Sequence, residues 1–161
     1  MSVDPDQFRS VFGNFATGVT VVTYPSDPPH GITANAVTSV SLDPPLALVC
    51  IDHGTKSYEL LDGGAVDGFC FNILSDDQQH LGEFFADMRD LDPSPFESEP
   101  TRTEATGAAI FEESLAYADC RLHDAFPGGD HTIYVGEVEA ADTLSDGDAL
   151  TFFRGDWGRL G

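Results

Sequence analysis

The segment Gly31-Ile32-Thr33-Ala34-Asn35-Ala36-Val37-Thr38-Ser39-Val40-Ser41-Leu42-Asp43-Pro44-Pro45 carries small hydroxyl and amide side chains through a stretch that otherwise reads as strand. Asn and Ala are poor strand formers, so propensity alone does not account for them. Small residues let a flat ligand approach the backbone, whose N–H and C=O groups can bond its polar edge, while Thr33, Ser39 and Ser41 add hydroxyls. An aromatic heterocycle with a polyol tail suits such a wall. A strand with one solvated polar face fits the same pattern equally well.

Two further groups have chemical potential. The sole lysine lies in Gly54-Thr55-Lys56-Ser57, directly after an apolar run. Backbone N–H groups, two hydroxyls and one cation there suit a phosphate, although an ordinary surface lysine reads the same. His131 opens a strand after a Gly-Gly-Asp turn, where an imidazole can point into a cleft and titrate near neutrality; a structural role is the alternative. His30, His53, His80 and His123 have no distinctive surroundings. No G-x-S-x-G elbow, P-loop, H-E-x-x-H or post-strand G-x-G-x-x-G occurs, which removes support for hydrolase, P-loop and zinc-protease chemistry.

The elements that must position these residues are mostly strands. Phe8, Val11, Phe12 and Phe15 recur at helical spacing and predict a short amphipathic helix packing on something apolar. β-Branched and apolar runs then predict strands over Val19 to Tyr24, Ile32 to Leu42, Leu46 to Ile51 and Phe69 to Leu74. Asp76 to Asp87 reads as a helix capped by Ser75, with Leu81, Phe84 and Phe85 on one side. Asp87 to Pro100, with its acids and prolines, reads as an extended acidic loop. Leu115 to His123, His131 to Val138 and Ala149 to Phe153 complete a mainly β chain with few helices, which points to a barrel. No pair of strands is separated by the long helix that a parallel sheet needs, so a Rossmann fold is disfavoured.

Bulk properties limit the remaining classes. A chain of 161 residues with 41% hydrophobic content fits one domain over 1–161. The longest unbroken apolar run, Leu46 to Ile51, is far short of the roughly 20 residues needed to span a bilayer. Met1 to Asp6 has acidic residues and no apolar signal core; a cytoplasmic protein, not membrane-bound, is expected. Cys50, Cys70 and Cys120 are an odd number at wide spacing, so core packing is expected in place of disulfides or zinc. The 28 acidic residues against 7 basic ones give a net charge of -21, which repels nucleic acid. The acids are spread along the chain with almost no lysine, which predicts a halophilic protein whose self-repulsion is screened by high salt.

Several of these segments together resemble a known family. Phe8-Arg9-Ser10-Val11-Phe12-Gly13-Asn14-Phe15-Ala16-Thr17-Gly18-Val19-Thr20-Val21-Val22-Thr23 is similar to the opening of the flavin reductase-like, FMN-binding split-barrel family. Gly31 to Pro45, Phe71-Asn72-Ile73-Leu74, Gly129-Asp130-His131-Thr132-Ile133-Tyr134-Val135-Gly136-Glu137-Val138 and Leu150-Thr151-Phe152-Phe153-Arg154-Gly155 follow in the family's order. The resemblance implies a six-stranded antiparallel split β-barrel with a few flanking helices, forming a homodimer. It implies FMN as cofactor, with FAD as the alternative, NAD(P)H as co-substrate, and delivery of reduced flavin to a partner monooxygenase.

By position, Thr33, Ala34 and Asn35 resemble the residues lining the flavin ring and ribityl chain, and Ser39, Val40 and Ser41 continue that wall. Lys56 and Ser57 fall on the phosphate side, and Phe71, Asn72 and Leu74 border the ring. His131 matches a Gly-Asp-His motif on the nicotinamide side and is the catalytic candidate. Trp157 departs from the pattern by standing where a tyrosine is common, and basic residues are scarce; Arg9, Arg89, Arg102 and Arg154 are the unassigned candidates for reading a 2′-phosphate. The rival expectations are a flavin-binding or electron-relay module without catalysis, and a related split-barrel oxidoreductase with another substrate.

Overall fold

The computed structural model describes residues 2–160. Helix α1 (Pro5–Phe12) starts where the Asp4 carboxylate accepts from the Gln7 N–H at 3.0 Å, with proline in the first turn. Its apolar face does not pack on this chain. Phe8, Val11, Phe12 and the following Phe15 remain 57%, 59%, 61% and 73% exposed.

The chain continues through β1 (Thr17–Gly18), β2 (Thr20–Tyr24), β3 (His30–Ala34), β4 (Val37–Leu42) and β5 (Pro45–Asp52). The single strand expected over Ile32 to Leu42 is thus two, broken at Asn35 and Ala36. Every residue of β2 is buried. Its side chains alternate between faces, so Val22 and Tyr24 enter one apolar cluster with Phe69 and Phe71, while Val21 enters another with Leu81 and Phe85.

Helix α2 (Lys56–Asp62) follows, capped by Thr55, whose hydroxyl accepts from the Tyr58 N–H at 3.2 Å. After β6 (Gly68–Ile73), a 3-10 turn at Asp76–Gln78 leads into α3 (Gln79–Phe85), and the Ser75 N–H donates to Gln78 Oε1 at 3.0 Å. The acidic stretch after α3 contains a one-turn helix, α4 (Pro95–Ser98), anchored by buried Pro95 and by Phe96, whose ring lies 5.3 Å from that of Phe85 and 5.7 Å from that of Phe111. Each such aromatic pair adds roughly 1 kcal/mol beyond area burial.

Two short strands, β7 (Thr101–Arg102) and β8 (Ile110–Phe111), precede a long hairpin of β9 (Ala116–Gly128) and β10 (His131–Thr143); β11 (Leu150–Phe153) and β12 (Asp156–Arg159) end the chain. The architecture is mainly β, as expected, but the strand count differs from six. The main antiparallel sheet has seven strands in the order β3-β2-β6-β9-β10-β5-β4, with β3 and β4 as its outer members. Strands β1, β11 and β12 form a separate three-stranded sheet. The extra outer strand follows from the break at Asn35 and Ala36, which sends β3 and β4 to opposite ends of the sheet. Cys70 and Cys120 are buried and Cys50 is half-buried, all three as free thiols. No helix among the described residues is long and apolar enough to cross a membrane.

Candidate functional site

Strand β3 pairs with β2 along one edge only. It also comes very close to α3: a β-carbon at Gly31 would lie 2.9 Å from the Phe85 ring. Here the sequence needs glycine because two elements touch. A cleft of about 620 Å³ is lined by β3 residues His30, Gly31 and Ile32, by Lys56, and by Phe84, Arg89 and Phe96. Lys56 and Arg89 bring positive charge to it, each with an acidic neighbour, Glu59 at 3.6 Å and Glu83 at 3.1 Å. Asp87 and Asp90 also line the cleft. Ser57 does not face the ligand side as expected: it is fully buried, with its Oγ 3.2 Å from His30 Nε2. The His30 ring stacks on Tyr24 with centroids 5.7 Å apart. Burial, and then the Lys56 charge, hold its pKa below the ordinary histidine value.

Next along β3, a smaller cavity of about 130 Å³ is lined by Val19, Thr33, Asn35, Ala86, Met88, Phe152 and Trp157. The Thr33 hydroxyl donates to the Gly82 carbonyl at 2.7 Å, fixing its rotamer. Ala34 packs against the first apolar cluster, and its carbonyl accepts from Thr20 Oγ1 at 2.7 Å. Asn35 is exposed and also lines a third cavity, about 410 Å³, with Phe15, Val37, Ser39, Phe71 and Ile73. The segment from His30 to Ser39 therefore borders three cavities, one lined by charged side chains of both signs and two largely apolar. Beyond it a bulge shifts the β4–β5 register between Ser39 and Ser41, leaving Val40 exposed and Ser41 half-buried.

Of the β6 candidates, only Phe71 reaches a cavity wall. Asn72 is fully buried and its amide is committed internally: Nδ2 donates to the Val21 carbonyl at 3.1 Å and Thr23 Oγ1 at 3.3 Å, and Oδ1 accepts from the Phe111 N–H at 2.8 Å. Leu74 is fully buried in the second apolar cluster. Asn72 is bonded to β8 and Leu74 packs with α3 and β11, which the strand's sequence alone does not reveal.

His131 is half-buried at the start of β10, opposite Asp52 in the ladder. Its Nδ1 lies 2.7 Å from Asp130 Oδ1. That hydrogen bond and the histidine charge hold the Asp130 carboxyl below the usual range. The His53 N–H donates to the Asp130 carbonyl at 3.0 Å and its Nε2 meets Thr132 Oγ1 at 2.9 Å. The His131 turn is thereby tied to the turn that leads into α2 and Lys56. The sequence pattern places Phe84 only on a helix face and Phe152 only in a closing strand, and it does not single out Met88 or Phe96; all four reach the cavities through tertiary packing. Arg89 and Trp157 had stood out only as a scarce cation and an unusual aromatic.

Comparison with known proteins matches residues 12–161 to the flavin reductase like domain. The chain is 37% identical to the NADH-dependent FAD reductase of Streptomyces globisporus, over 98% of this chain and 88% of that protein. It is 36% identical to the flavin-dependent monooxygenase reductase subunit HsaB of Mycobacterium tuberculosis, over 96% of this chain and 82% of that one. Among solved structures, BorF, the flavin reductase component of a bacterial two-component tryptophan halogenase, superposes with TM-score 0.87 at 41% identity, covering 98% of each chain. The Streptomyces globisporus NADH:FAD oxidoreductase SgcE6 with NAD and FAD fragments gives TM-score 0.88 at 36% identity, over 100% of this chain and 97% of that one.

Proposed function

The chain belongs to the flavin reductase-like domain family, and from that premise we propose that it is an NAD(P)H-dependent flavin reductase supplying reduced flavin to a partner monooxygenase. The observation that carries this reading is the polarity of the row of cavities along β3. Lys56 and Arg89 stand at one end, and the apolar pocket beside Thr33 and Asn35 stands further along. This matches a ligand with a phosphorylated tail and a flat, largely apolar ring.

A bound flavin supplies the hydride-accepting chemistry. The chain's own residues bind and orient. Lys56 and Arg89 offer charge-assisted contacts to phosphate and are the two basic side chains on this cleft, which Asp87 and Asp90 also line. Thr33, Ala34 and Asn35 border the ring, with Ser39, Val40 and Ser41 beyond them, and His131 stands on the nicotinamide side. No dedicated acid or base is required. FMN is the flavin expected from the sequence, and the FAD of the Streptomyces relatives is the alternative.

Phe8, Val11, Phe12 and Phe15, together with Val40, Leu42 and Ile73, are large apolar side chains left uncovered on this chain. They support a homodimer, with closure of the split barrel as a unit of one domain in each copy. Sedimentation in molar KCl checks this. A cytoplasmic, halophilic setting fits the acidic composition.

The enzyme reading is tested by anaerobic absorbance spectra of the protein with FMN in molar KCl, before and after NADH or NADPH. Bleaching of the oxidised-flavin band at a protein-dependent rate is expected. Bound flavin that neither nucleotide bleaches would replace the reductase with a binding module, and absence of flavin binding would overturn both.

A further inference from the structure

We propose that Trp157 is a ligand-contacting residue of this site: with Met88 and Phe152 it forms an apolar seat for the methyl-bearing benzenoid edge of the flavin ring. The inference rests on the flavin reductase reading above and adds a residue to it.

The cavity that Trp157 lines with Val19, Met88, Phe152, Thr33 and Asn35 has a volume of about 130 Å³. Apolar cavities of roughly 150 Å³ admit a benzene ring. No charged side chain lines it. A phosphate or a carboxamide would find few partners there, whereas a hydrocarbon ring edge would lose water and gain contact. Two residues already expected to face the ring, Thr33 and Asn35, lie on the same cavity. The seat therefore adjoins the wall along which the rest of the ring would lie.

The indole is held in place before any ligand arrives. Trp157 is the cross-strand partner of Phe152, and their rings meet edge to face at 5.1 Å and 69°. The Cζ3 and Cη2 edge presses on α3 at Gly82, where a β-carbon would be 2.9 and 3.0 Å away. The Gly82 carbonyl holds the Thr33 hydroxyl, so one glycine anchors both the polar wall and the aromatic seat. Such preorganisation lowers the ordering cost of binding. A purely structural plug over α3 would use the same packing, and a ligand-based test separates the two roles.

The test compares FMN with FMN lacking both ring methyl groups, by equilibrium dialysis in molar KCl, for the wild type and Trp157→Ala. In the wild type, loss of the methyls is expected to weaken binding about tenfold, the size set by burying two methyl groups. In W157A the two flavins bind alike, and Trp157→Phe restores most of the discrimination. Trp157 is the only tryptophan, so its single indole N–H resonance in the wild type is expected to shift on adding FMN, whether or not the variants fold. Full methyl discrimination in folded W157A, or an unmoved indole signal with FMN bound, would overturn the proposal. If the wild type binds neither flavin, the flavin reductase reading itself falls, and this assignment falls with it.

Discussion

Gly82 lies directly against the edge of the Trp157 indole, close enough that a β-carbon there would be 2.9 Å from Cζ3. Helix α3 approaches the C-terminal hairpin only because position 82 has no side chain. Gly82→Ala gains helix propensity but must displace the indole or the helix, and overpacking of this kind costs typically 1–3 kcal/mol. We expect a net loss of about 1 kcal/mol by urea denaturation, with weaker flavin binding because Thr33 moves with the Gly82 carbonyl. Unchanged stability and unchanged flavin affinity would show that the contact relaxes freely.

Asn72 acts through the fold. Asn72→Ala strands the Phe111 N–H and the Val21 carbonyl contact inside the core, and we expect a loss of roughly 3 kcal/mol. Chemical denaturation in molar salt measures it, and flavin affinity of the folded fraction should stay within about twofold of wild type.

His30 makes stability depend on pH. Its native pKa lies below the ordinary value of 6.5 because of burial and the nearby Lys56, with Asp87 opposing. The unfolded chain therefore takes up a proton that the native state resists. This contribution is fully present above about pH 6.5 and is lost as pH falls toward the depressed native value. Between about pH 7 and pH 5.5, the Tm of the wild type should fall more steeply than that of His30→Gln. Parallel curves would remove His30 as the cause.

His131 and Asp130 form a hydrogen-bonded pair at the start of β10, and the proposed function puts His131 beside the nicotinamide. His131→Gln should lower kcat/KM for the reduced nicotinamide about tenfold, or roughly 1.4 kcal/mol of transition-state stabilisation, with flavin affinity retained. Stopped-flow reduction of bound flavin reads this directly, and wild-type rates would remove His131 from the reaction.

Six of the seven basic residues, Arg9, Lys56, Arg89, Arg102, Arg121 and Arg159, pair with carboxylates. Most of the 28 acids therefore have no cationic partner. Screening shortens to about 3 Å at 1 M salt, so the Tm should rise steadily from 0.1 M to beyond 1 M KCl. A flat melting curve series would show that the acidic surface is tolerated without salt.

Much of the fold was legible because strand signals are local. Continuous β-branched and apolar runs along β2, β5 and β6 and the turn residues between them place these strands with little reference to the rest of the chain. Ser75 and its helix, the buried cysteines and the Gly-Gly-Asp turn before His131 were readable for the same reason. The chemical character of Gly31 to Ser41 was also local, since it lies in the residue types themselves.

What tertiary structure alone decided is which of those residues share a surface. Asn72 and Leu74 look like site residues in a strand, yet Asn72 is bonded to β8 and Leu74 packs with α3 and β11, which turns both into core. Ser57 is withdrawn beneath His30 for a similar reason. Conversely, Thr33 meets Gly82 across 49 residues of chain, and Trp157 reaches the same glycine from the last hairpin. Periodicity reports which way a side chain points from its own backbone. Which distant element it then meets depends on the packing of the whole chain, and the residue pattern of one strand does not encode that.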